Sequence, residues 1–474
     1  MWFSAEFQRN LWLQLSWGRV LAAPILLGII VAALLQAIAP APSHMAEFAR
    51  WGFVLLIALW STRRVADALA EEVGSGTWEG QRMSGMSAWS MVWGKMFGGA
   101  IFPWYCGLIC LGVMAWFGLQ ASAGAMRVAV WQQVATLLLG AVLGQATALV
   151  VALLLLRKVQ FRRRLAVTMA QIAGLLAFGL AVGWDYSANP WAASVGTIRW
   201  YDRTYDANLF YLSSAGVFTI WALLASWRLM RAELLYVNRP WVWKLFTLFA
   251  MAYAAGFVSW ETKALSSRLA IACVSALMLT YAAFFAEVKD PVRYRWGLAR
   301  LKALHWWRAL EFMPWWLISY ILAVVAGAAT IWSIASGGQL TWEDSWWFTL
   351  QRDANWFALG PIAFNIAALL LFVLRDMLFL LWLNFGGKTR NRADLTGLVV
   401  LAIAYWPLPM LMIGAGLATF LPAVIPFAVT NAMAIAWPAA EVVVIWFLLL
   451  LRWRQATRID IIADNREEPS IGHQ

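Results

Sequence analysis

The sequence carries little charge for its length. Only 13% of its 474 residues are Asp, Glu, Lys or Arg, while 63% are hydrophobic. A soluble protein of this size needs a far more charged surface to stay in solution, so the composition excludes a soluble enzyme or binding protein. Apolar runs of roughly 20 residues, separated by short polar clusters, predict an all-α protein that crosses the membrane many times.

Cysteine and histidine are also scarce, with three of each. Cys106, Cys110 and Cys273 all fall within predicted spans and form no CxxC motif, which excludes a disulfide framework and favours a role in helix packing. The histidines are far apart, and no HExxH motif or Ser–His–Asp arrangement occurs. The sequence therefore predicts no catalytic residue, no metal site and no cofactor held by this chain.

A phosphate-binding loop is missing as well. The tetrapeptide Gly386-Gly387-Lys388-Thr389 resembles the end of such a loop, which begins with another glycine and follows a strand. Trp382 occupies the position of that first glycine and lies within an apolar run. Any ATP hydrolysis must therefore come from a separate subunit.

The 36 Lys and Arg residues give a net charge of +12 and are spread unevenly over the predicted loops. Most of them fall on one side of the membrane, and the positive-inside rule then places both termini in the cytoplasm. Because they are scattered over short loops, they predict contact with lipid head groups and no nucleic-acid partner. The expected location is a bacterial inner membrane.

The order of polar landmarks predicts an internal repeat. In each half, two spans lead to an acidic residue, Glu71-Glu72 or Glu287, and then to a polar stretch and a new span. About twelve spans are expected, in two parallel-oriented repeats of roughly six helices each. The first repeat would cover residues 1–226 and the second, more divergent repeat residues 227–474, with a short cytoplasmic tail.

The longest polar interruption of the first half runs from Glu71 to Lys95, and we call it the polar segment. It resembles the loop after the second span of type-2 ABC exporter permeases, where an acidic residue precedes Gly-Thr, an apolar or aromatic residue, a polar helix and Gly-Lys. The matching positions are Glu71 or Glu72, Gly76-Thr77-Trp78 and Gly94-Lys95. The resemblance covers about residues 1–236 well and the second half less closely.

The resemblance implies that the polar segment is a coupling helix docked in a groove of an ATP-binding subunit. Thr77 is expected to cap this helix, and Trp78 or Met83 to supply its apolar anchor. The amphipathic stretch Trp2–Trp17 would be the elbow helix of the family. In the second half, Glu287 matches the acidic residue, but Asp290-Pro291 replaces Gly-Thr. The residues expected to couple to the ATPase are Glu71, Glu72, Gly76, Thr77, Trp78, Arg82, Lys95, Glu287, Asp290 and Arg293.

The same resemblance implies a permease subunit that uses one pair of ABC ATPase subunits, with ATP and magnesium bound by those partners, to export a substrate or extract it from the bilayer. One alternative is a transmitter that moves nothing and drives an extracytoplasmic partner docked on the outer loop Trp184–Asn208. Another is a membrane-embedded enzyme that modifies lipids, which would require convergent carboxylates or histidines at one depth.

Four charged residues are expected within or at the edge of the bilayer, where charge is costly. They are Asp67, Arg375, Asp376 and Glu441. Arg375 and Asp376 are adjacent and can offset one another. Glu441 is the single carboxylate of the last span, and the sequence leaves open whether it faces the bundle or a cavity, or is satisfied by helix packing.

Overall fold

A computed structural model describes residues 5–38, 41–122, 124, 126–156, 163–182, 197–236, 241–258, 265–305, 309, 312–336, 362–386, 393–426 and 432–464. The chain divides into two compact units. The first comprises Met1–Ile198 and Thr204–Asn238, and the second Arg199–Arg203 and Arg239–Gln474. The boundary predicted between residues 226 and 227 lies inside one continuous helix, Ala207–Glu233. The two compact units divide after that helix, between Asn238 and Arg239.

The described elements of the first unit are helical apart from one hairpin. The helices and helical turns are α1 (Ala5–Gln14), α2 (Trp17–Ile38), α3 (Pro42–Val54), a π-helical turn (Leu55–Ser61), α4 (Thr62–Ser75), α5 (Thr77–Met83), α6 (Ala88–Trp93), a second π-helical turn (Gly94–Gly98), α7 (Ile101–Ala121), α8 (Met126–Leu156), α9 (Arg163–Val182) and α10 (Ala207–Glu233). The hairpin strands β1 (Thr197–Trp200) and β2 (Arg203–Asp206) precede α10, and the division into units runs between their residues.

Apart from its share of the hairpin, the described elements of the second unit are all helical. Its elements are α11 (Trp241–Ala255), α12 (Leu265–Ala286), α13 (Pro291–Lys302), α14 (Trp315–Ala335), α15 (Ile362–Asn384), α16 (Ala393–Tyr405), α17 (Pro407–Gly414), a 3-10 turn (Ala418–Ala423) and α18 (Met433–Asp464). A break at Trp406-Pro407 separates α16 from α17, because proline cannot continue the hydrogen-bond ladder of the preceding helix.

Ten helical stretches among the described residues are long and apolar enough to cross a membrane, which confirms the all-α, multi-span class. Two further predicted spans have a different form. The stretch 50–69 runs from α3 through the first π-helical turn into α4, and 244–260 corresponds to α11, which has 15 residues. The predicted total of twelve spans and the six-helix repeats stay predictions.

The core of the first unit forms where α3 and the first π-helical turn meet α7, α8 and α9. Phe53, Ile57, Met114, Leu137 and Phe178 are all buried there. The π-helical turn widens the backbone, so that Thr62 N–H donates to Ile57 O, five residues back.

Helices α8 and α9 approach each other closely at two glycines. A Cβ atom on Gly144 would lie 2.9 Å from Gly174 O, and one on Gly174 would lie 2.6 Å from Gly144 O. Small residues let helix backbones pack at short range within a membrane, where van der Waals contact drives association. Only glycine fits this crossing without a shift of the backbone.

The core of the second unit lies between α12, α14 and α15. It is built from large side chains, including Phe284, Trp316, Met377, Leu381 and Phe385. α18 packs along α15, and its Leu449 completes this cluster. The polar residues described below are held within this packing.

Part of the long outer loop predicted at Trp184–Asn208 is a two-stranded hairpin, while residues 183–196 lie outside the described part of the chain. Tyr201 and Asp202 at its turn both have positive φ, as a tight two-residue hairpin turn requires. These turn residues belong to the second unit: Tyr201 Oη donates to Ala252 O at 2.7 Å, and Asp202 pairs with Arg268 at 2.5 Å.

Candidate functional site: the polar segment and the intramembrane charges

The polar segment folds into short helices separated by glycine turns. α4 ends at Ser75, and the next residue, Gly76, has a φ of 73°, a left-handed conformation that favours glycine. Thr77 is the first residue of α5 and not its cap, because Gly76 holds the N-cap position and no side chain caps the helix. The Thr77 hydroxyl instead lies 3.0 Å from Ser75 Oγ. The turn geometry, rather than a threonine cap, therefore starts α5.

Lys95 is the anchor of the polar segment. It is only 1% exposed, although it is charged. Its Nζ donates to the Glu72 carboxylate and to Gln81 Oε1 at 3.1 Å, and it lies 4.9 Å from the centre of the Trp78 ring. A buried ammonium needs an opposite charge and hydrogen-bond acceptors to offset the loss of hydration. This cluster therefore ties α4, α5 and the second π-helical turn together.

The two candidate apolar anchors have different environments. Trp78 is buried inside the segment against Lys95, whereas Met83 at the end of α5 is 86% exposed. Arg82 fixes the other side of α5, since its Nε donates to Glu233 O of α10 at 2.8 Å and its Nη1 lies 3.0 Å from Glu79. Trp78 thus stabilises the polar segment from inside, and Met83 is an apolar side chain that the segment exposes on its surface.

The remaining predicted residues of the first unit make local contacts. Glu71 pairs with Arg163 at the start of α9 at 3.3 Å, and Asp67 pairs with Arg63 one helical turn before it at 3.5 Å. The N-terminal amphipathic stretch contains α1, and Gln14 Nε2 at its end donates to Gly99 O at 3.2 Å. This contact holds α1 beside the end of the polar segment.

In the second unit, Glu287 directly follows α12 and caps the start of α14. Its carboxylate accepts the Trp315 N–H at 2.9 Å. Burial raises the pKa of Glu287 to about 7, against the opposing effects of Arg293, the Trp315 N–H and Lys289. Burial, together with the Glu287 carboxylate, also raises the pKa of Tyr294 on α13. The buried contact of Glu287 is therefore with the start of α14, whereas Arg293 is exposed on α13 and acts on Glu287 through its charge.

Asp290 and Lys289 complete this region. Asp290 caps α13 by accepting the Val292 N–H at 3.1 Å, with Pro291 at the first helical position. Lys289 is buried and donates to Asp394 Oδ1 at 2.8 Å, and Asn384 Nδ2 donates to the same oxygen at 3.1 Å. A buried lysine–carboxylate pair therefore occurs in each unit, built from different helices.

Arg375, Asp376 and Glu441 form a single cluster within the apolar helices of the second unit. Arg375 joins Asp376 on α15 at 2.9 Å to Glu441 on α18 at 2.7 Å. Tyr281 from α12 and Tyr405 from α16 both donate to Asp376 Oδ2, at 2.5 Å and 2.6 Å. Glu441 thus contacts Arg375 of α15, and its side chain remains 29% exposed.

Several members of these clusters were not predicted as site residues. They are Gln81, Lys289, Asp394, Asn384, Tyr281 and Tyr405. A lone Asp394 next to an apolar run gave a weak signal. Nothing in the sequence pattern pairs Lys289 with Asp394, more than a hundred positions away. Among the residues that the structure describes, no three His, Cys, Asp or Glu side chains are placed to hold a metal ion.

Comparison of the chain with protein-family models, with curated proteins and with solved structures finds no match. The resemblance of the polar segment to a coupling loop therefore stays a prediction from its own sequence.

Proposed function

We propose that this chain is the membrane-spanning subunit of an ATP-binding-cassette transporter, in which separate ATPase subunits drive the export of a substrate or its extraction from the bilayer. The observation that carries the proposal is the construction of the polar segment. The buried Lys95 fixes α5 through Gln81 and Trp78 and joins it to α4 through Glu72, while Met83 at the end of α5 is 86% exposed. An anchored helix with an apolar tip suits docking in a partner's groove.

The same construction suits the transfer of movement. α5 follows α4 after a single residue, and the π-helical turn that carries Lys95 leads into α7. A push on α5 would therefore reach two membrane helices through hydrogen bonds and ion pairs rather than through a loose loop. ATP and magnesium would be bound by the partner, because the sequence has no phosphate-binding loop of its own.

The test is purification of the full-length chain in mild detergent, with ATP hydrolysis measured per mole of chain. We expect a co-purifying ATPase with the wild type and with Met83→Leu, which keeps an apolar tip. Met83→Asp should lose the ATPase while its thermal unfolding stays unchanged, since Met83 is exposed. Equal ATPase recovery with Met83→Asp and the wild type would refute docking at α5.

A second candidate function is mechanical transmission to an extracytoplasmic partner without transport. The observation that favours it is the anchored hairpin turn: Trp200 Nε1 donates to Tyr253 O at 3.1 Å, and Asp202 pairs with Arg268. Turn residues bonded in this way to α11 and α12 would move with those helices. Shortening the hairpin separates the two functions, because transport into vesicles that survives this change would count against transmission.

A further inference from the structure

The charged cluster of the second unit holds more negative than positive charge. Its charged members among the described residues are one guanidinium, that of Arg375, and two carboxylates, those of Asp376 and Glu441. If both carboxylates are ionised, one negative charge is left in excess inside apolar helices. An uncompensated charge at this depth is costly, so the hydrogen bonds should reveal which carboxylate bears it.

Arg375 has no donor left for an added anion. Its five N–H groups meet five acceptor contacts. Nε and Nη2 bind Asp376 Oδ1 at 3.0 Å and 2.9 Å, and Nη2 also reaches Tyr405 Oη at 2.9 Å. Nη1 donates to Glu441 Oε2 at 2.7 Å and to Ala423 O at 3.0 Å. The guanidinium is thus fully occupied by the protein.

Asp376 is satisfied as an anion. Its Oδ1 accepts two bonds from Arg375, and its Oδ2 accepts the hydroxyls of Tyr281 and Tyr405. Four donors on one carboxylate, together with the adjacent guanidinium, favour the ionised form. Asp376 and Arg375 therefore form a closed, neutral pair, with Asp376 1% exposed.

Glu441 has a different environment. Only its Oε2 has a partner within the described part of the chain, the shared Nη1 of Arg375, and its side chain is 29% exposed. The nearest other basic residues on α18, Arg452 and Arg454, lie about 16 Å or more further along the helix, and Arg452 stacks over Trp382. The excess charge of the cluster consequently falls on Glu441.

We propose that Glu441 is a proton-exchanging carboxylate in the membrane part of this protein. The protonated form removes the excess charge, and it keeps the bond to Arg375 because Oε2 still accepts while Oε1 carries the proton. Arg375 contacts Glu441 directly. The other titratable groups of the cluster, Asp376, Tyr281 and Tyr405, are bonded to Arg375 or to one another. The inference goes beyond an ATPase-driven permease, since it holds whether or not an ATPase docks on α5.

The test uses dicyclohexylcarbodiimide, an apolar reagent that adds to protonated carboxyl groups. The carboxyl oxygen bonds to the central carbon of the reagent, the carboxyl proton moves to its nitrogen, and an acyl shift leaves a stable N-acylurea without loss of atoms. Peptide mass spectrometry of the full-length protein in liposomes then locates the adduct. We expect labelling at Glu441 and not at Asp376, with a yield that falls at least tenfold between about pH 5 and about pH 9.

Three outcomes overturn the proposal. They are no adduct at Glu441 at any pH in a protein that unfolds like the wild type, labelling of Asp376 in preference to Glu441, and protection of Glu441 by sodium at constant pH, which would indicate an alkali cation instead of a proton. Glu441→Gln should keep the bond to Arg375, unfold at the same temperature and give no adduct at this position. Labelling of other carboxyl groups in the Glu441→Gln variant controls for access of the reagent to the protein.

Discussion

At the scale of single residues, the buried lysines show what an apolar protein needs in order to hold a charge. Lys95 has a carboxylate, an amide oxygen and an indole face around it. Lys289 has Asp394 and the ring of Phe284, whose centre is 4.3 Å away. Both ammonium groups exchange water for protein acceptors and aromatic faces, so each fixes the distance between the elements that supply them.

Removal of the Lys95 charge tests this anchoring role. Lys95→Met keeps much of the stem but leaves Glu72 and Gln81 without their donor. We expect a loss of about 2 kcal/mol in the free energy of unfolding, below the roughly 3–5 kcal/mol of a fully buried pair, because Glu72 keeps some solvent contact. Thermal unfolding in detergent measures this loss of stability, and the rate of proteolysis after Arg82 reports on the loosening of the polar segment.

The control for Lys95→Met is Arg63→Met, which breaks the exposed pair of Arg63 with Asp67. An exposed pair contributes at most about 1 kcal/mol, so this variant should unfold like the wild type. The double variant Lys95→Met/Glu72→Leu should be more stable than the sum of the single changes predicts, since neither charge is then left unpaired. Strict additivity would contradict a direct interaction of Lys95 with Glu72.

Glu287 gives the protein a dependence of stability on pH. Its folded pKa of about 7 lies above its ordinary value of 4.5, so between these values the folded state binds more protons than the unfolded state. The free energy of unfolding should therefore fall as pH rises through that window. Glu287→Gln keeps an acceptor for the Trp315 N–H and should flatten the fall.

Chemical unfolding at a series of pH values measures the effect of Glu287. The matched control is Asp290→Asn, which removes a charge three positions away and keeps the cap of α13. It should leave the dependence on pH in place. A slope that persists unchanged in Glu287→Gln would assign it to another group.

At the scale of the helices, the crossing of α8 and α9 depends on two glycines. Gly174→Ala would place its Cβ 2.6 Å from Gly144 O, and the backbones would have to separate. We expect a loss of about 1–3 kcal/mol, as for other overpacked sites. Gly112→Ala in α7 is the control, because no atom lies within 4 Å of its added Cβ. Equal unfolding temperatures for both variants would show that the crossing tolerates a larger separation.

The helices themselves were largely predictable from sequence, whereas their polar partners were not. Continuous apolar runs predict spans because a helix must satisfy its own backbone in lipid. The same patterns did not predict that the second span would contain the π-helical turn Leu55–Ser61, since its residues are as apolar as those of an α-helix. Nor could they show that Trp78 is buried and Met83 exposed, because that depends on where Lys95 lies.

In the cluster of Arg375, Asp376 and Glu441, too, the sequence predicts the charged residues but not their partners. The cost of charge in lipid was enough to single out Arg375, Asp376 and Glu441 from the sequence. Their joining into one cluster, and the contribution of Tyr281 and Tyr405, depend on contacts between helices far apart in sequence. Tyrosines in a membrane chain rich in aromatic residues carry no signal of such a role until the helices are packed.

At the scale of the whole molecule, the distribution of Lys and Arg predicts that the polar segment and the loop after α13 face the cytoplasm. Single cysteines at Met83→Cys and Leu304→Cys report on this, because these side chains are 86% and 71% exposed. The natural cysteines Cys106, Cys110 and Cys273 are buried and give little background. We expect a membrane-impermeant maleimide to label both positions in inside-out vesicles and neither in intact cells.

The matched control for the cytoplasmic positions is Trp332→Cys near the end of α14, 72% exposed and predicted to face the opposite side. It should be labelled in intact cells. Labelling of Met83→Cys and Leu304→Cys from different sides would mean that an odd number of spans separates them. Two repeats of the same orientation require these loops to share a side. That result would therefore exclude the parallel repeat and, with it, ATPase coupling through Glu287, Asp290 and Arg293.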